Sequence, residues 1–346
     1  MPTGTSRYAA RCVRISAPGG PEVLAPGSRQ LRAPQRGELL VEVAACGVNR
    51  ADILQRQGHY PAPPDVPPDV PGLEYSGTIA EAGPDAVGPL GRPWRAGERV
   101  MGLVGGGALS SLLLVAADQA LPVPDTLDLP AAAATPEAFL TAWDALVRLA
   151  RLRAGEVVLV HAAGSGVGTA ALQLARARGA TVAGTSRTPE KLERCRALGL
   201  QHPLSVARAD RQTPARFADA LLAATSGRPA DVILDLVGAA YLDENLRALA
   251  PRGRMVCLGL LGGAKAELPL GRLLERRAHL MGSMLRSRPD EEKAALAAGF
   301  CAQVLPALAD GRLAPVVDSV LPMSEVRAAH ERVERGDVFG KLVLSW

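Results

Sequence analysis

Aromatic residues are scarce in this chain of 346 residues, Phe, Trp and Tyr together making up 3%. Its cores must therefore be aliphatic, and the 48% apolar fraction is ample for about two domains at this length. The 39 basic and 35 acidic residues are scattered, with no basic run and no interleaved aromatics, which argues against nucleic acid as the main partner. Five cysteines, at 12, 46, 195, 257 and 301, are widely spaced without a C-x-x-C pair. That pattern disfavours disulfides and zinc ribbons and suits a reducing compartment. No apolar run reaches bilayer length, and the N-terminus lacks the apolar stretch of a signal peptide. The expectation is a cytoplasmic protein.

What the chain does have is a stretch at 156–178 around which the rest is arranged. Residues 157–161 are a β-branched run suited to a strand buried on both faces, and from Val167 apolar residues recur at helical spacing. Between them lie Gly164, Gly166 and Gly168. Such a turn uses glycine to bend back, to let backbone approach a pyrophosphate and to pack helix on strand, with the anion at the helix N-terminus. The spacing is Gly-x-Gly-x-Gly after Ala-Ala, so context must carry the assignment.

The context is an alternation of strands and helices. Strand-like runs at 181–185, 231–236, 254–258 and 279–285 alternate with helices opening at Thr188-Pro189-Glu190 and near 242–249, which predicts a parallel doubly wound sheet. Thr135-Pro136-Glu137 reads as a cap, a proline at the first helical position and an acid in the first turn of a helix through Leu149. Before it, strand-like runs at 8–15, 39–45, 75–82 and 99–103 form a β-rich region that 109–116 closes. Within that region a proline-dense loop presents His59 and Tyr60, as the wall of a site or as plain surface. The elements after Pro289, a helix over 290–308, a strand near 316–321 and a last strand at 340–344, do not continue the alternation and are assigned back to the β-rich part. The expected division is 1–133 with 290–346, and 134–289. The site is then expected in the cleft between the two.

The second strand of the alternation ends in Ser186-Arg187-Thr188, with Lys191 a turn later and no acid at the strand end. An acid there would bind the ribose hydroxyls of NAD, whereas a guanidinium pairs with the 2′-phosphate of NADP. NADPH is the favoured cofactor.

The order Gly-Val-Asn49-Arg-Ala-Asp52, Gly-His-Tyr60, Pro-Glu-Ala-Phe-Leu-Thr141, His-Ala-Ala-Gly-Ser-Gly-Val-Gly-Thr, Leu-Leu-Arg286-Ser-Arg288 and Gly-Lys341-Leu-Val-Leu resembles the medium-chain dehydrogenase/reductase superfamily. Within it the chain is similar to the zeta-crystallin-like NADPH:quinone oxidoreductases, above all the tumour-suppressor-inducible branch. The resemblance implies an α/β protein with a GroES-like catalytic domain and a Rossmann domain, and a homodimer, or a tetramer, joined at cofactor-sheet edges near residues 254–261. It places Gly164, Gly166, Val167 and Gly168 at the pyrophosphate and Ser186, Arg187, Thr188 and Lys191 around the adenosine phosphate. Asn49, Thr141, Gly259, Leu261 and the backbone of Leu285 fall near the nicotinamide, and Lys341 reaches the cofactor from the last strand. Two departures stand out: Ser-Arg at the second-strand end, where small residues are usual, and Gly107-Ala-Leu-Ser-Ser in place of an aromatic-containing segment.

Zinc-dependent alcohol dehydrogenase relatives carry a cysteine ligand where this chain has Asn49 and a histidine where it has Leu73. Amide and leucine remove such a site, so no metal is expected. Without a Lewis acid to stabilise an alkoxide, the acceptor must be activated in itself. The expected reaction is hydride transfer from NADPH to a quinone. Tyr60 orients the acceptor, donates to its oxygen or simply packs, and Asn49 fixes cofactor or pocket geometry. Asp52 reads as a structural ion paired with Arg50 or Arg56, and His161 as a satisfied core histidine. The rival readings are an enone or enoyl reductase on the same fold, and an NADPH-binding protein with an RNA-binding or structural role.

Overall fold

The computed structural model describes residues 7–64, 66–206 and 216–346. Its strands in chain order are β1 Tyr8–Ile15, β2 Leu24–Leu31, β3 Glu38–Val48, β4 Glu74–Ala82, β5 Arg99–Leu103, β6 Leu112–Ala116, β7 Leu121–Pro122, β8 Val157–Val160, β9 Thr181–Ser186, β10 His202–Ser205, β11 Ala230–Asp235, β12 Leu249–Cys257, β13 His279–Gly282, β14 Val317–Pro322 and β15 Lys341–Ser345. The chain forms two compact units, Met1–Leu140 with Leu285–Trp346, and Thr141–Met284.

The first unit is a seven-stranded sheet in the order β14-β15-β3-β4-β5-β7, with β6 also pairing β3. β15 lies antiparallel on β3, Leu342 opposite Val48 and Leu344 opposite Cys46. This pairing brings Lys341, at the far end of the sequence, beside the end of β3 and Asn49. A separate two-stranded sheet joins β1 to β2 in antiparallel register from Tyr8 opposite Leu31 to Ile15 opposite Leu24. β2 escapes the sequence pattern because Pro26 and Gly27 read as breakers, yet a strand with only one partner tolerates both. Between its ends half-buried and exposed residues alternate over 25–30, and Leu24 and Leu31 are buried at the two ends.

The second unit is a six-stranded, wholly parallel sheet in the order β10-β9-β8-β11-β12-β13. All four residues of β8 are buried, as expected for a strand covered on both faces. From β8 the chain winds outward through β9 and β10, then restarts on the other side of β8 with β11. The strand order thus reverses between β8 and β11, and in open parallel sheets ligands bind outside the strand ends at that point. The glycine-rich turn follows β8 directly.

Three expectations need correction. The first half of the dimer edge expected near residues 254–261 lies on β12, which is flanked by both β11 and β13. Among the described residues the free edge on that side is β13. The helix expected from Pro136 through Leu149 is α-helical only over Pro136–Trp143 and continues as a π-helical turn, Asp144–Leu149, in which the Ala150 N–H donates to Ala145 O at 2.9 Å. The strand expected over 279–285 ends at Gly282, and Leu285 belongs to the first unit.

Candidate active site

In the second unit, β8 delivers the chain to a tight turn and a helix, Gly166–Ala177. The sequence pattern assigns the bend to glycine, but the left-handed residue is Ala162, with φ of +48°, and none of Gly164, Gly166 and Gly168 has a positive φ. The conformation is held by the Ala163 N–H donating to Thr185 O and the Ser165 N–H donating to Ala162 O, both at 2.9 Å. Gly168 is glycine for a packing reason: a Cβ there would lie 2.5 Å from Ala162 O and 2.6 Å from Ala163 O. Ser165 is the N-cap, its hydroxyl accepting from the Gly168 N–H at 3.0 Å. Val167, in the first turn, is half-buried. A helix start of this length at the end of a central parallel strand presents N–H groups and a positive dipole end to an anion.

At the end of β9, Ser186 is turned inward, its hydroxyl accepting from the Thr188 N–H at 3.1 Å, whereas Arg187 is exposed. Arg187 forms no ion pair with any described residue, and Thr188 and Lys191 flank it at the start of the Pro189–Arg196 helix. Gly259 follows β12 and donates to Asp235 O at 3.3 Å; a Cβ on it would lie 2.8 Å from Leu236 O. Leu261, two residues on, is exposed. Thr141 carries a buried hydroxyl with no hydrogen-bond partner among the described residues.

His161 is fully buried and saturated. Its Nε2 donates to Asn245 Oδ1 at 2.6 Å, its Nδ1 accepts from the Thr185 hydroxyl at 2.8 Å, and its ring packs edge-on against Phe217 and Tyr241. Asn245 passes the chain on, donating to Asp235 Oδ2 at 3.2 Å, and Asp235 Oδ1 accepts from the N–H groups of Val237 and Gly238. Burial lowers the imidazole pKa, so the ring is neutral.

The first unit holds a second buried network, this one charged. Asn49 caps the Arg50–Arg56 helix. Its Nδ2 donates to Glu74 Oε1 at 2.9 Å and its Oδ1 accepts from Lys341 Nζ at 2.5 Å. Lys341 Nζ also meets Glu74 Oε1 at 2.5 Å and donates to Val48 O at 3.2 Å, so its ammonium is committed inside the unit. Glu74 Oε2 accepts from the Glu137 N–H at 2.8 Å. The helix that opens at Pro136 is therefore capped by a carboxylate from β4. Thr135, expected as its cap, donates its hydroxyl backward to Ala131 O at 2.9 Å instead. Gly47 makes room for this arrangement, since a Cβ there would overlap the Glu74 carboxylate and come within 2.8 Å of Ala133 O.

Asp52 does not pair with Arg50 or Arg56. It accepts from the Asn49 N–H at 2.8 Å and the Gly72 N–H at 2.9 Å, while Arg56, fully buried, pairs with Glu334 at 2.8 Å. Burial raises the Asp52 carboxyl to about 6 despite those donors and Lys341. Burial and the neighbouring Glu74 raise Glu137 to about 7. Tyr60 is half-buried under Arg286, whose guanidinium lies 4.7 Å from the ring centroid. Arg286 is itself fixed by Gly105 O at 2.6 Å and Gln55 Oε1 at 2.7 Å. Leu285, just before it, is buried, and His59 is exposed.

The structure thus gathers Asn49 and Lys341 into one cluster and holds Tyr60 at Arg286. The sequence reading gives no site role to Glu74, Glu137, Arg286 or Gln55, although it places Glu137 in the first turn of its helix and Arg286 in the Leu-Leu-Arg-Ser-Arg segment. For the two glutamates a signal was present: each is an ionisable side chain inside an otherwise apolar stretch, Gly-Leu-Glu-Tyr and Pro-Glu-Ala-Phe-Leu, where solvation alone does not explain it.

Residues 35–125 match the alcohol dehydrogenase GroES-like domain, and residues 166–299 match the family described as zinc-binding dehydrogenase. The chain is 32% identical over 344 residues to a quinone oxidoreductase of Rattus norvegicus, covering 98% of this chain and 99% of that protein. Among solved structures it is similar to the Pseudomonas syringae pv. Tomato DC3000 quinone oxidoreductase, with a TM-score of 0.84 at 28% identity, covering 97% of this chain and 100% of that one. It is equally similar to the CurK enoyl reductase, with a TM-score of 0.83 at 27% identity, covering 97% and 99%. With a relative this similar over nearly the whole of both chains, the protein belongs to the medium-chain dehydrogenase/reductase family of oxidoreductases, built from a GroES-like unit and a Rossmann unit.

Proposed function

We propose that the protein is an NADPH:quinone oxidoreductase that works without a metal. The observation that carries the cofactor choice is Arg187, exposed at the end of β9 where an NAD-selective site would place an acid. The residues fit a dinucleotide on two further counts. Gly168 keeps the helix start close against the turn after β8, and the buried hydroxyl of Thr141 lacks a partner among the described residues. In this reading Gly164, Gly166, Val167 and Gly168 hold the pyrophosphate. Ser186, Arg187, Thr188 and Lys191 surround the adenosine phosphate, and Thr141, Gly259, Leu261 and the backbone of Leu285 serve the nicotinamide end. When bound, NADPH supplies the hydride.

The absence of a metal is supported from the first unit. At positions 49 and 73 an amide and a leucine stand in place of cysteine and histidine, and the ammonium of Lys341 is bonded to Asn49 and Glu74. A cation already resides among those side chains. Lys341 then acts on the cofactor only through Asn49, which it orients, and Tyr60, braced by Arg286, presents a fixed ring to the acceptor. With no Lewis acid, a quinone is the acceptor that the site suits, because conjugation already activates it. Assembly as a homodimer belongs to the same reading, supported by the free edge of β13 and by Leu270 and Leu274, which are 62% and 76% exposed on the neighbouring Leu270–Arg276 helix. A small-molecule acceptor, no membrane and a cytoplasmic setting complete it.

The test is oxidation of NADPH and NADH, side by side, with 1,4-benzoquinone, an ortho-quinone and a simple enone. Fast turnover of NADPH with a quinone and slow turnover with NADH is the expected result. Turnover confined to the enone moves the function to the enoyl reductases, to which the fold is as similar. NADPH binding without any turnover leaves a binding protein.

A further inference from the structure

The charged network of the first unit does not balance. Three carboxylates, Asp52 from the Arg50–Arg56 helix, Glu74 from β4 and Glu137 from the Pro136–Trp143 helix, face two cations, Lys341 from β15 and Arg286 from the segment after Leu285. Ionised throughout, the cluster carries one surplus negative charge in a largely buried setting, which costs far more than binding a proton. The hydrogen bonds say which carboxyl takes it. Both oxygens of Asp52 accept backbone N–H groups. Both oxygens of Glu74 are occupied by Asn49, Lys341 and the Glu137 N–H. The Glu137 carboxyl has no hydrogen-bond donor among the described residues. It is also the accessible one: Asp52 and Glu74 are 2% and 0% exposed, whereas Glu137 is only partly buried.

We propose that Glu137 holds this proton and is the catalytic acid of the reaction, giving it to the acceptor oxygen as hydride arrives. The proposal rests on the quinone reductase reading. Hydride brings two electrons and one hydrogen to the quinone, which becomes a hydroquinone monoanion. The Glu137 O–H bond then breaks, its proton completes the hydroquinone, and solvent reprotonates the carboxylate. The sum is quinone, NADPH and one proton giving hydroquinone and NADP⁺. Tyr60 shares these surroundings: burial raises the pKa of its phenol, and Arg286, whose guanidinium lies 4.7 Å from its ring centroid, lowers it. A carboxyl that burial and Glu74 bring near neutrality is matched to donating at cellular pH.

The experiment measures kcat for NADPH and 1,4-benzoquinone from about pH 5.5 to 9 in the full-length wild type, E137Q and E137D, with NADPH affinity and thermal melts alongside. Wild-type kcat should fall as pH rises past about 7, where the acid form is lost. E137Q should lose about 100-fold in kcat and that pH limb together, with NADPH affinity within about twofold of wild type, and E137D should recover part of the rate. Wild-type kcat in E137Q, or the same limb persisting in it, overturns the proposal while leaving the quinone reductase reading intact. A wild type that binds NADPH but turns over no quinone overturns both. Should E137Q fail to fold, a wild-type kcat flat across that range overturns the assignment by itself.

Discussion

Two buried polar networks, one in each unit, use similar residue types and end differently. In the Rossmann unit the chain Thr185–His161–Asn245–Asp235 is closed: the imidazole is neutral, both its nitrogens are used, and both Asp235 oxygens have donors. In the GroES-like unit the chain Lys341–Asn49–Glu74–Glu137 is open, since its last member contributes a backbone N–H and leaves its carboxyl without a described donor. A closed network fixes geometry, here the ends of β8, β9 and β11, beside which the residues proposed for the cofactor sit. An open network with surplus charge stores a proton. The same low dielectric that makes the first rigid makes the second responsive.

The harshest way to break the contrast is to remove the cation of the open network. Lys341→Met leaves Glu74 and Asn49 without their partner and should cost about 3–5 kcal/mol in denaturant unfolding. The loss should be larger at pH 8 than at pH 5. The folded-state carboxyls of Asp52 and Glu137 are raised, so both are increasingly ionised as pH climbs through 6 and 7, and the missing ammonium is then missed most. An equal loss at the two pH values would mean that the cluster is not charged as drawn.

A smaller effect is expected at the rim of the closed network, where chemistry is left to exposed residues. Arg187→Ala should weaken NADPH by about 10- to 100-fold, the range for losing a hydrogen bond to a charged group, and leave NADH nearly unchanged. Equal losses for both cofactors would remove the phosphate-binding role.

The architecture was legible in the sequence because periodicity survives burial. Strands 99–103 and 181–185 needed little adjustment, and β8 is a run of four buried aliphatic residues. The site was legible where backbone chemistry dictates residue type, as at Gly168. It was not legible where contacts are long-range. Glu74 capping the Pro136–Trp143 helix, Arg286 bracing Tyr60 and Lys341 meeting Asn49 join residues separated by 63, 226 and 292 positions, and no local pattern encodes such pairings. Asp52 was misread for the same reason: charge nearby in sequence suggested Arg50 or Arg56, whereas backbone N–H groups, one of them from Gly72, claim it.

Within the closed network, Thr185→Val keeps the shape of the side chain and removes one donor, leaving His161 Nδ1 buried and unpartnered. The cost should be about 1–2 kcal/mol. No ionisable group is lost, so the penalty should agree within about 0.5 kcal/mol at pH 6 and pH 8, in contrast to Lys341→Met. A strong pH dependence would show that the histidine network is charged after all.

The gentlest test concerns Thr141, whose hydroxyl belongs to neither network. Removing a hydrogen-bonded buried hydroxyl destabilises a fold, but this one has no partner among the described residues, so Thr141→Val should leave the melting temperature unchanged or slightly higher. If NADPH supplies the missing partner, the same substitution should weaken the cofactor by several-fold, about 1 kcal/mol for one neutral hydrogen bond. The two readouts decide together. Unchanged stability with weaker NADPH binding marks a side chain whose partner comes from outside the chain, whereas lost stability with unchanged binding returns Thr141 to the fold and removes it from the nicotinamide end of the site.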